Sequence, residues 1–354
     1  MPLRVLFVQQ QPCVRALKYA VALCSARPDI RLAFAYRGAT LSGLYGSGDE
    51  LFERWYRLRN DLEGDLRRAL AEFRPDVIHS HNLPDSLTVL ALDVTEGRIP
   101  IVHDVHDFQS LRTTPYEDGF DEPGDALTLE QRAVEESAAL VTVSQALVAE
   151  IAARHRLPAH VLTFPNYALR RDLPRELPPP GRPRNGALRL VYQGTLATNN
   201  GHYDLRELFA SITAANVKLD VYPNRPLPDY RDLGVELRHK LTPKQLLARL
   251  PAYDLGWAGF NTALNGAHVD TVLPNKVFEY IGCGLPVLTL RHEALAQLVT
   301  ANGLGVVLDG MRGLEEKLDG LDLVALREQV AAVRYDFTVE EHILRVHALY
   351  ETLA

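Results

Sequence analysis

Lys276, Glu279 and Tyr280 stand at spacings of three and four in the stretch Leu273-Pro-Asn-Lys-Val-Phe-Glu-Tyr-Ile-Gly-Cys-Gly-Leu-Pro-Val-Leu-Thr-Leu290. On a helix, such spacing gathers side chains on one face, while Phe278 and Ile281 turn toward a core. An ammonium and a carboxylate so placed make either a surface ion pair or the wall of a ligand site, and both readings stand at this point. The stretch predicts a helix from Asn275 that stops at Gly282 and Gly284, since glycine accepts the left-handed backbone of a helix end, and a buried strand from Pro286. A second group of chemically capable side chains closes two short apolar runs, Val77-Ile-His-Ser-His-Asn82 and Ile101-Val-His-Asp-Val-His-Asp-Phe108. These runs hold His79, His81, His103 and His106, four of the twelve histidines, together with Asn82, Asp104 and Asp107. Each histidine there can be a loop hydrogen-bonder or a functional group. Four imidazoles on neighbouring strand tips could also ligate a metal, but no Glu or Cys ligand pattern accompanies them and no metal is expected.

The elements that must position these groups alternate strand and helix. Residues 4–8 read as a central parallel strand, residues 15–26 as a helix with Leu17, Val21 and Cys24 on one side, and residues 30–36 as a second strand. No G-x-G-x-x-G follows the first strand, so a dinucleotide site is not expected there. The glycine cluster at 43–48 reads as a loop and residues 60–73 as a charged amphipathic helix. Strands at 77–82 and 101–108 follow, then a helix at 126–139, a strand at 140–144, a helix at 146–154 and a strand at 161–167. In open parallel sheets ligands sit beyond the carboxyl ends of strands, where both His-bearing tips fall. Arg15 and Lys18, just after the first strand, face either solvent or that crevice. Glu130 and Glu135 read as surface charges.

Residues 173–187 hold five prolines and two glycines and read as an interdomain linker. The alternation then restarts, with strands at 188–193, 217–222 and 255–258, helices at 204–214 and 242–250, the Lys276 stretch, a strand at 305–308, and closing helices at 323–333 and 339–353. The expected organisation is a first Rossmann-like domain at 1–172, the linker, a second Rossmann-like domain at 188–337, and a terminal helix at 338–354 crossing back toward the first. Trp257 reads as packing at a strand end or stacking on a ligand, and Cys283 as a small buried residue rather than a nucleophile.

At 354 residues the chain suits two cores rather than one. A net charge of −7 leaves no nucleic-acid footprint. Three scattered cysteines point to a reducing compartment rather than a disulfide framework or a zinc site. The N-terminus runs straight into a strand without a signal-peptide pattern, and no apolar run is long enough for a bilayer span. A cytoplasmic location is therefore expected.

Two doubly wound domains facing across a cleft make a preferred small-molecule site, and here the residues carry a resemblance. Asp76-Val-Ile-His-Ser-His81, the pair His106-Asp107, Val141-Thr-Val-Ser144 and Phe164-Pro-Asn166 stand in the first half. Tyr192-Gln-Gly-Thr195, Pro274-x-Lys-x-x-Glu-Tyr280 with Gly284-x-Pro286, and Arg345-x-x-x-Leu-Tyr350 stand in the second. In this order they resemble the α/β GT-B glycosyltransferases, specifically the retaining group called family 4, over nearly the whole chain. The resemblance implies transfer of a sugar from a nucleotide-diphosphate donor, most often a UDP-sugar, to an acceptor hydroxyl with retention and without a metal or other cofactor. It implies that Glu279 holds the ribose and that Gly194, with Thr195, lets the backbone approach the diphosphate. His106 would lie near the transferred sugar, with Asp107 beside it. Asn275 and Tyr280 join the donor wall, and Arg15, His81 and Asn82 are the acceptor-side candidates.

Family members usually carry an Arg and a Lys after the Gly194 strand, where this chain has Thr195 and Asn199-Asn200-Gly201-His202; Lys276, with help from His202 or Arg225, is then the expected cation. A second glutamate of the family is replaced by Thr271, with Asp270 adjacent. The acceptor is a glycan, a lipid-linked compound or a small molecule, with peripheral membrane contact possible and the oligomeric state open. The alternatives are a nucleotide-sugar epimerase on the same fold, which would recruit Asp104, Asp107 or Glu279, and a non-catalytic partner subunit.

Overall fold

The computed structural model describes residues 2–114, 125–179, 187–225 and 227–354. They form two compact units: Met1–Ser110, Pro115–Pro165 and Val339–Ala354 make the first, and Leu111–Thr114 with Asn166–Thr338 the second.

Seven strands build the first sheet: β1 (Arg4–Gln9), β2 (Arg31–Tyr36), β3 (Arg54–Arg57), β4 (Val77–His81), β5 (Ile101–Val105), β6 (Ala139–Thr142) and β7 (His160–Thr163). All pair parallel, in the order β3-β2-β1-β4-β5-β6-β7. The order reverses between β1 and β4, which makes their carboxyl ends the switch point of a doubly wound sheet. Register decides which tip residues meet. His81 pairs with Asp104 and Ser80 with His103. Side chains alternate faces along a strand, so His79, His81 and Asp104 share one face while Ser80 and His103 share the other.

β3 was not expected. It is a short edge strand, Arg-Trp-Tyr-Arg, with Arg54 and Arg57 exposed, a charged edge of the kind that resists further pairing. Trp55 ties it inward by stacking on Phe34, with ring centroids 5.0 Å apart. The expected loop at 43–48 includes the end of a helical turn, Leu41–Tyr45, capped by the Thr40 side chain and stopped at Gly46. The helix expected from residue 60 starts at Leu62, because the Asp61 side chain caps it by accepting from the Gly64 N–H.

Glu130, expected as a surface charge, is buried. Its carboxylate accepts the Ser110 N–H at 2.9 Å and lies 2.8 Å from His155 Nε2. The helix Val339–Leu353 packs on the first helix, Val14–Ala26, and buries Ile343, Val346 and Tyr350.

The second sheet repeats the design with β8 (Arg189–Gly194), β9 (Lys218–Pro223), β10 (Glu236–Leu237), β11 (Leu255–Trp257), β12 (Val287–Leu290) and β13 (Gly305–Leu308). All are parallel, in the order β10-β9-β8-β11-β12-β13. Its core holds Tyr192, Phe209, Leu219, Tyr230 and Trp257; Trp257 is wholly buried. The switch point lies between β8 and β11, beside the end of β8.

This unit begins at Asn166, ahead of the proline-rich stretch. The Asn166 side-chain amide donates to the Leu273 carbonyl at 2.9 Å, and the Tyr167 ring meets Phe278 edge-on at 5.2 Å. The described part of the expected linker is anchored here too. Arg334 donates to the Pro174 and Arg175 carbonyls at 2.8 and 2.9 Å. Leu173 and Leu177 lie where side chains at Gly282 and Gly284 would go. Residues 180–186 of that stretch lie outside the described residues. Gly284 has φ +69°, so an alanine there meets both Leu177 and backbone strain. Gly284→Ala is expected to cost about 1–3 kcal/mol, read as a lowered denaturation midpoint; an unchanged midpoint would mean that Leu177 does not hold its place.

Among the described residues no helix is long and apolar enough to cross a membrane.

Candidate functional site

The second unit gathers its reactive groups at the end of β8. The strand runs Tyr192-Gln193-Gly194, and Gly194 has φ +133°, a backbone that glycine adopts without strain. Opposite stands the helix Asn275–Gly282. From its first turn Lys276 reaches back, so that its Nζ lies 3.7 Å from where a Cβ on Gly194 would be. The ammonium sits 4.1 Å from the centroid of the Tyr192 ring and 5.1 Å from that of Phe260, within cation–π range. It is 7 % exposed and has no hydrogen-bond partner among the described residues. Burial pushes its pKa down to about 7, with the nearby Glu279 charge opposing the shift. Phe260 is held in turn by His292, whose Nε2 accepts the Phe260 N–H at 3.0 Å; burial lowers this imidazole to about 4 and keeps it neutral.

Glu279 lies one turn after Lys276 and accepts a hydrogen bond from Gln193 Nε2. Asn275 opens the helix and is half-buried. Thr195 follows Gly194, its carbonyl accepting from Tyr192 Oη at 2.5 Å and its hydroxyl from Asn224 at 3.1 Å. Tyr280 does not belong to the wall. It is rotated toward the sheet, fully buried, and its ring fills the space that Gly256 leaves open. Its hydroxyl accepts the Gln193 N–H at 3.2 Å and is 3.3 Å from the Trp257 carbonyl. Positions 279 and 280 differ by about 100° around a helix, which carries one to the strand ends and the other into the core. His202 is buried, with Nδ1 facing the Asn265 amide N–H group at 3.2 Å. Asn265 Oδ1 is taken by the Thr113 N–H, so His202 Nδ1 is an acceptor there and the ring does not supply the expected cation. Asp270 takes the Glu293 N–H at 3.3 Å and caps the next helix.

In the first unit the centre is Asp104, on β5. Arg15 Nε lies 2.9 and 3.0 Å from its two oxygens, and Arg15 Nη2 donates to the Phe164 carbonyl at 2.8 Å. Tyr19 donates to Oδ2 at 2.9 Å, and His79 Nε2 lies 3.2 Å from the same atom. A carboxylate only accepts, so His79 carries its proton on Nε2 and its Nδ1 accepts from the Tyr350 hydroxyl. His81 stacks on His79 with ring centroids 4.4 Å apart, and neither of its nitrogens has a hydrogen-bond partner among the described residues. Burial works against the Asp104 charge, but Arg15 and the histidine hydrogen bond outweigh it and hold the carboxyl well below its ordinary range. Burial lowers His79 and, more strongly, His81, and both are neutral imidazoles.

His79, His81 and Asp104 bring one ligand atom each within 4.8 Å of one another. The guanidinium of Arg15, bridging both Asp104 oxygens, already provides the positive charge that a metal would bring. The donor set therefore reads as an ion-pair hub. His103 is turned to the other face, 3.3 Å from Asp85 and 3.1 Å from Thr88.

Arg15 and His81, expected on the acceptor side, are buried in this hub, and Lys18 is buried as well. The tip that remains accessible is His106-Asp107. His106 is partly exposed, with Nδ1 4.0 Å from Asp104, and burial of its ring nitrogen lowers its pKa. Asn82 is buried and grips the turn from both ends of its amide: Oδ1 accepts the His106 N–H at 3.2 Å, and Nδ2 donates to the Asp107 carbonyl. Sequence reading missed two central groups, Asp104 as the hub and Gln193 beside Glu279. For Gln193 a signal existed, a polar residue closing an apolar strand just before a glycine.

Two family models match the chain. A glycosyl transferase 4-like domain covers residues 13–167, and a glucosyltransferase 3-like, C-terminal domain covers residues 198–337. Among solved structures, sucrose-phosphate synthase from Thermosynechococcus elongatus is 13% identical, with 99% of each chain covered and a TM-score of 0.69. HepE from Anabaena, in complex with UDP, is 14% identical, with 99% of this chain and 100% of that one covered and a TM-score of 0.70. A putative UDP-N-acetylglucosamine 2-epimerase from Listeria monocytogenes is 15% identical, with 98% and 95% covered and a TM-score of 0.62. At these identities the structures speak for the fold. Among curated proteins none matches the chain. Glycosyltransferase models cover both halves in the order this fold requires, and the chain belongs to the family-4-like glycosyltransferases of the GT-B fold.

Proposed function

We propose that this glycosyltransferase takes its sugar from a UDP-sugar and passes it, with retention and without a metal, to an acceptor hydroxyl. The observation that carries the reading is Lys276, a buried ammonium with no hydrogen-bond partner among the described residues, held against Gly194, a strand-end glycine whose backbone a phosphate could approach. A leaving diphosphate needs such a charge where its own develops, and one supplied by protein donors makes a bound metal unnecessary. Gly194 has no side chain to bar a phosphate from the backbone leading into Thr195, and Asn275 opens a helix whose N-terminal end favours an anion. Glu279 holds the ribose. In the first unit His106, with Asp107 beside it and Asn82 behind, positions the sugar, and this unit receives a glycan, lipid-linked or small-molecule acceptor. HepE, a structural neighbour, has been crystallised with UDP and with UDP-glucose, which favours UDP here. Of the carboxylates an epimerase would recruit, Asp104 is sealed under Arg15 and Glu279 is engaged by Gln193, which leaves Asp107 alone as a base. Three free cysteines suit a reducing cytoplasm.

Thermal melting with nucleotides tests the proposal. UDP at a hundred times its Kd is expected to stabilise by about 2.7 kcal/mol, equally with and without EDTA. Glu279→Ala is expected to remove most of that shift. No shift with any nucleoside diphosphate would sink the donor assignment, and a shift lost to EDTA would sink metal independence.

A further inference from the structure

Gln193 closes β8 and is 5 % exposed. Its position is fixed at two points, the backbone N–H by the Tyr280 hydroxyl and the side-chain Nε2 by Glu279. Since a carboxylate can only accept, the amide must turn its NH2 to Glu279 and its oxygen away. That oxygen, Oε1, is buried and accepts no hydrogen bond among the described residues. At the same strand end Lys276 Nζ is buried and donates none. An unused acceptor and an unused cationic donor thus flank Gly194. Buried polar groups are rarely left so, and the two do not satisfy each other. A ligand that brings a hydroxyl and a phosphoryl oxygen to this point would satisfy both.

We propose that Gln193 Oε1 accepts one ribose hydroxyl of the donor, so that Gln193 and Glu279 together read the ribose diol and select ribonucleoside over deoxyribonucleoside diphosphates. This rests on the donor-site reading of Lys276 and Glu279 and deepens it. Glu279 gives one of its oxygens to Gln193 Nε2, and the amide returns an acceptor of its own beside it. Two adjacent acceptors suit two vicinal hydroxyl donors. A ligand lacking one hydroxyl leaves a buried acceptor unpaired, which is how polar sites reject close analogues.

Calorimetric titration with UDP, 2′-deoxy-UDP, 3′-deoxy-UDP and inorganic pyrophosphate tests it, on the full chain and on Gln193→Met. The wild-type protein is expected to bind UDP at least about tenfold more tightly than one of the deoxy analogues. Gln193→Met is expected to bind UDP about tenfold more weakly, to lose that preference, and to keep its pyrophosphate affinity. The retained pyrophosphate binding shows that the site is folded. Gln193→Asn, which retracts the acceptor by one methylene, is expected to lose the preference with less change in packing. A preference that survives both substitutions overturns the proposal, as does equal loss of pyrophosphate and UDP affinity. A wild-type protein that binds neither UDP nor pyrophosphate removes the donor-site reading and this inference with it. One that binds UDP without discriminating the analogues removes the inference alone.

Discussion

Lys276→Met slows sugar transfer by roughly 10²–10³-fold, the usual cost of one lost donor at a developing negative charge, and the variant melts at a higher temperature than the wild type. Both effects follow from one arrangement. The ammonium is buried between Tyr192 and Phe260 and has no hydrogen-bond acceptor among the described residues. In the free protein that position costs stability, and methionine fills a similar volume without the charge. The two proteins should also differ with pH. Folding lowers the Lys276 pKa from 10.5 to about 7. Between those values the unfolded chain holds a proton that the folded chain lacks, so this contribution to stability rises with pH. The advantage of methionine is then greatest below pH 7 and fades toward pH 10.5.

Donor binding runs the other way. A diphosphate beside the amine restores its charge, so binding takes up a proton once the pH passes about 7. UDP affinity should fall above that point, by up to about tenfold per pH unit, and Lys276→Met should remove this part of the slope. Titrations in buffers of different ionisation enthalpy measure the proton directly. A wild-type affinity flat from pH 6 to 9 would show that Lys276 does not meet the diphosphate.

Asp104→Ala should destabilise the first unit by about 3–5 kcal/mol. Arg15 would be left buried without its counter-charge, and the Tyr19 hydroxyl and His79 Nε2 would lose their acceptor. Much of the loss is the uncompensated arginine, so Arg15→Met in the same chain should recover part of it, and the coupling can be read from a double-mutant cycle. The acid limb carries the same signature. The folded carboxyl titrates well below its ordinary value of 3.8, so its contribution is complete above about pH 4–5 and drains away as the pH falls through the folded value. A loss under about 1 kcal/mol in Asp104→Ala would mean that water, rather than Arg15, balances this carboxylate.

Where local pattern decides, the sequence was a good guide. The apolar runs of β1, β4, β5 and β8 and the Asn275–Gly282 helix ended by glycines carry their periods on their face, and the switch-point tips follow from them. What escaped was set by distant partners. Arg15 and Asp104 are 89 residues apart. Nothing near either says that one will cap the other, so an arginine after the first strand reads equally as solvated. Glu130 is buried because His155 and Ser110 come to it from other elements. Tyr280 shares a helix spacing with Lys276, but its direction was decided by the absence of a side chain at Gly256. β3 hid because an edge strand can be charged on both faces.

The hydrogen bond from Tyr350 to His79 has a consequence for the order in which the protein is made. It joins the C-terminal helix to a strand 271 residues earlier, and Val339–Ala354 belongs to the first unit. That unit therefore stays unfinished while the ribosome makes all of the second. At roughly 5–20 residues per second the delay is about 10–35 s, during which the surface of the first helix that later meets Ile343 and Val346 stands uncovered. A nascent chain stalled short of residue 339 is the state in which a chaperone, or a supplied copy of the last helix, would find its binding face.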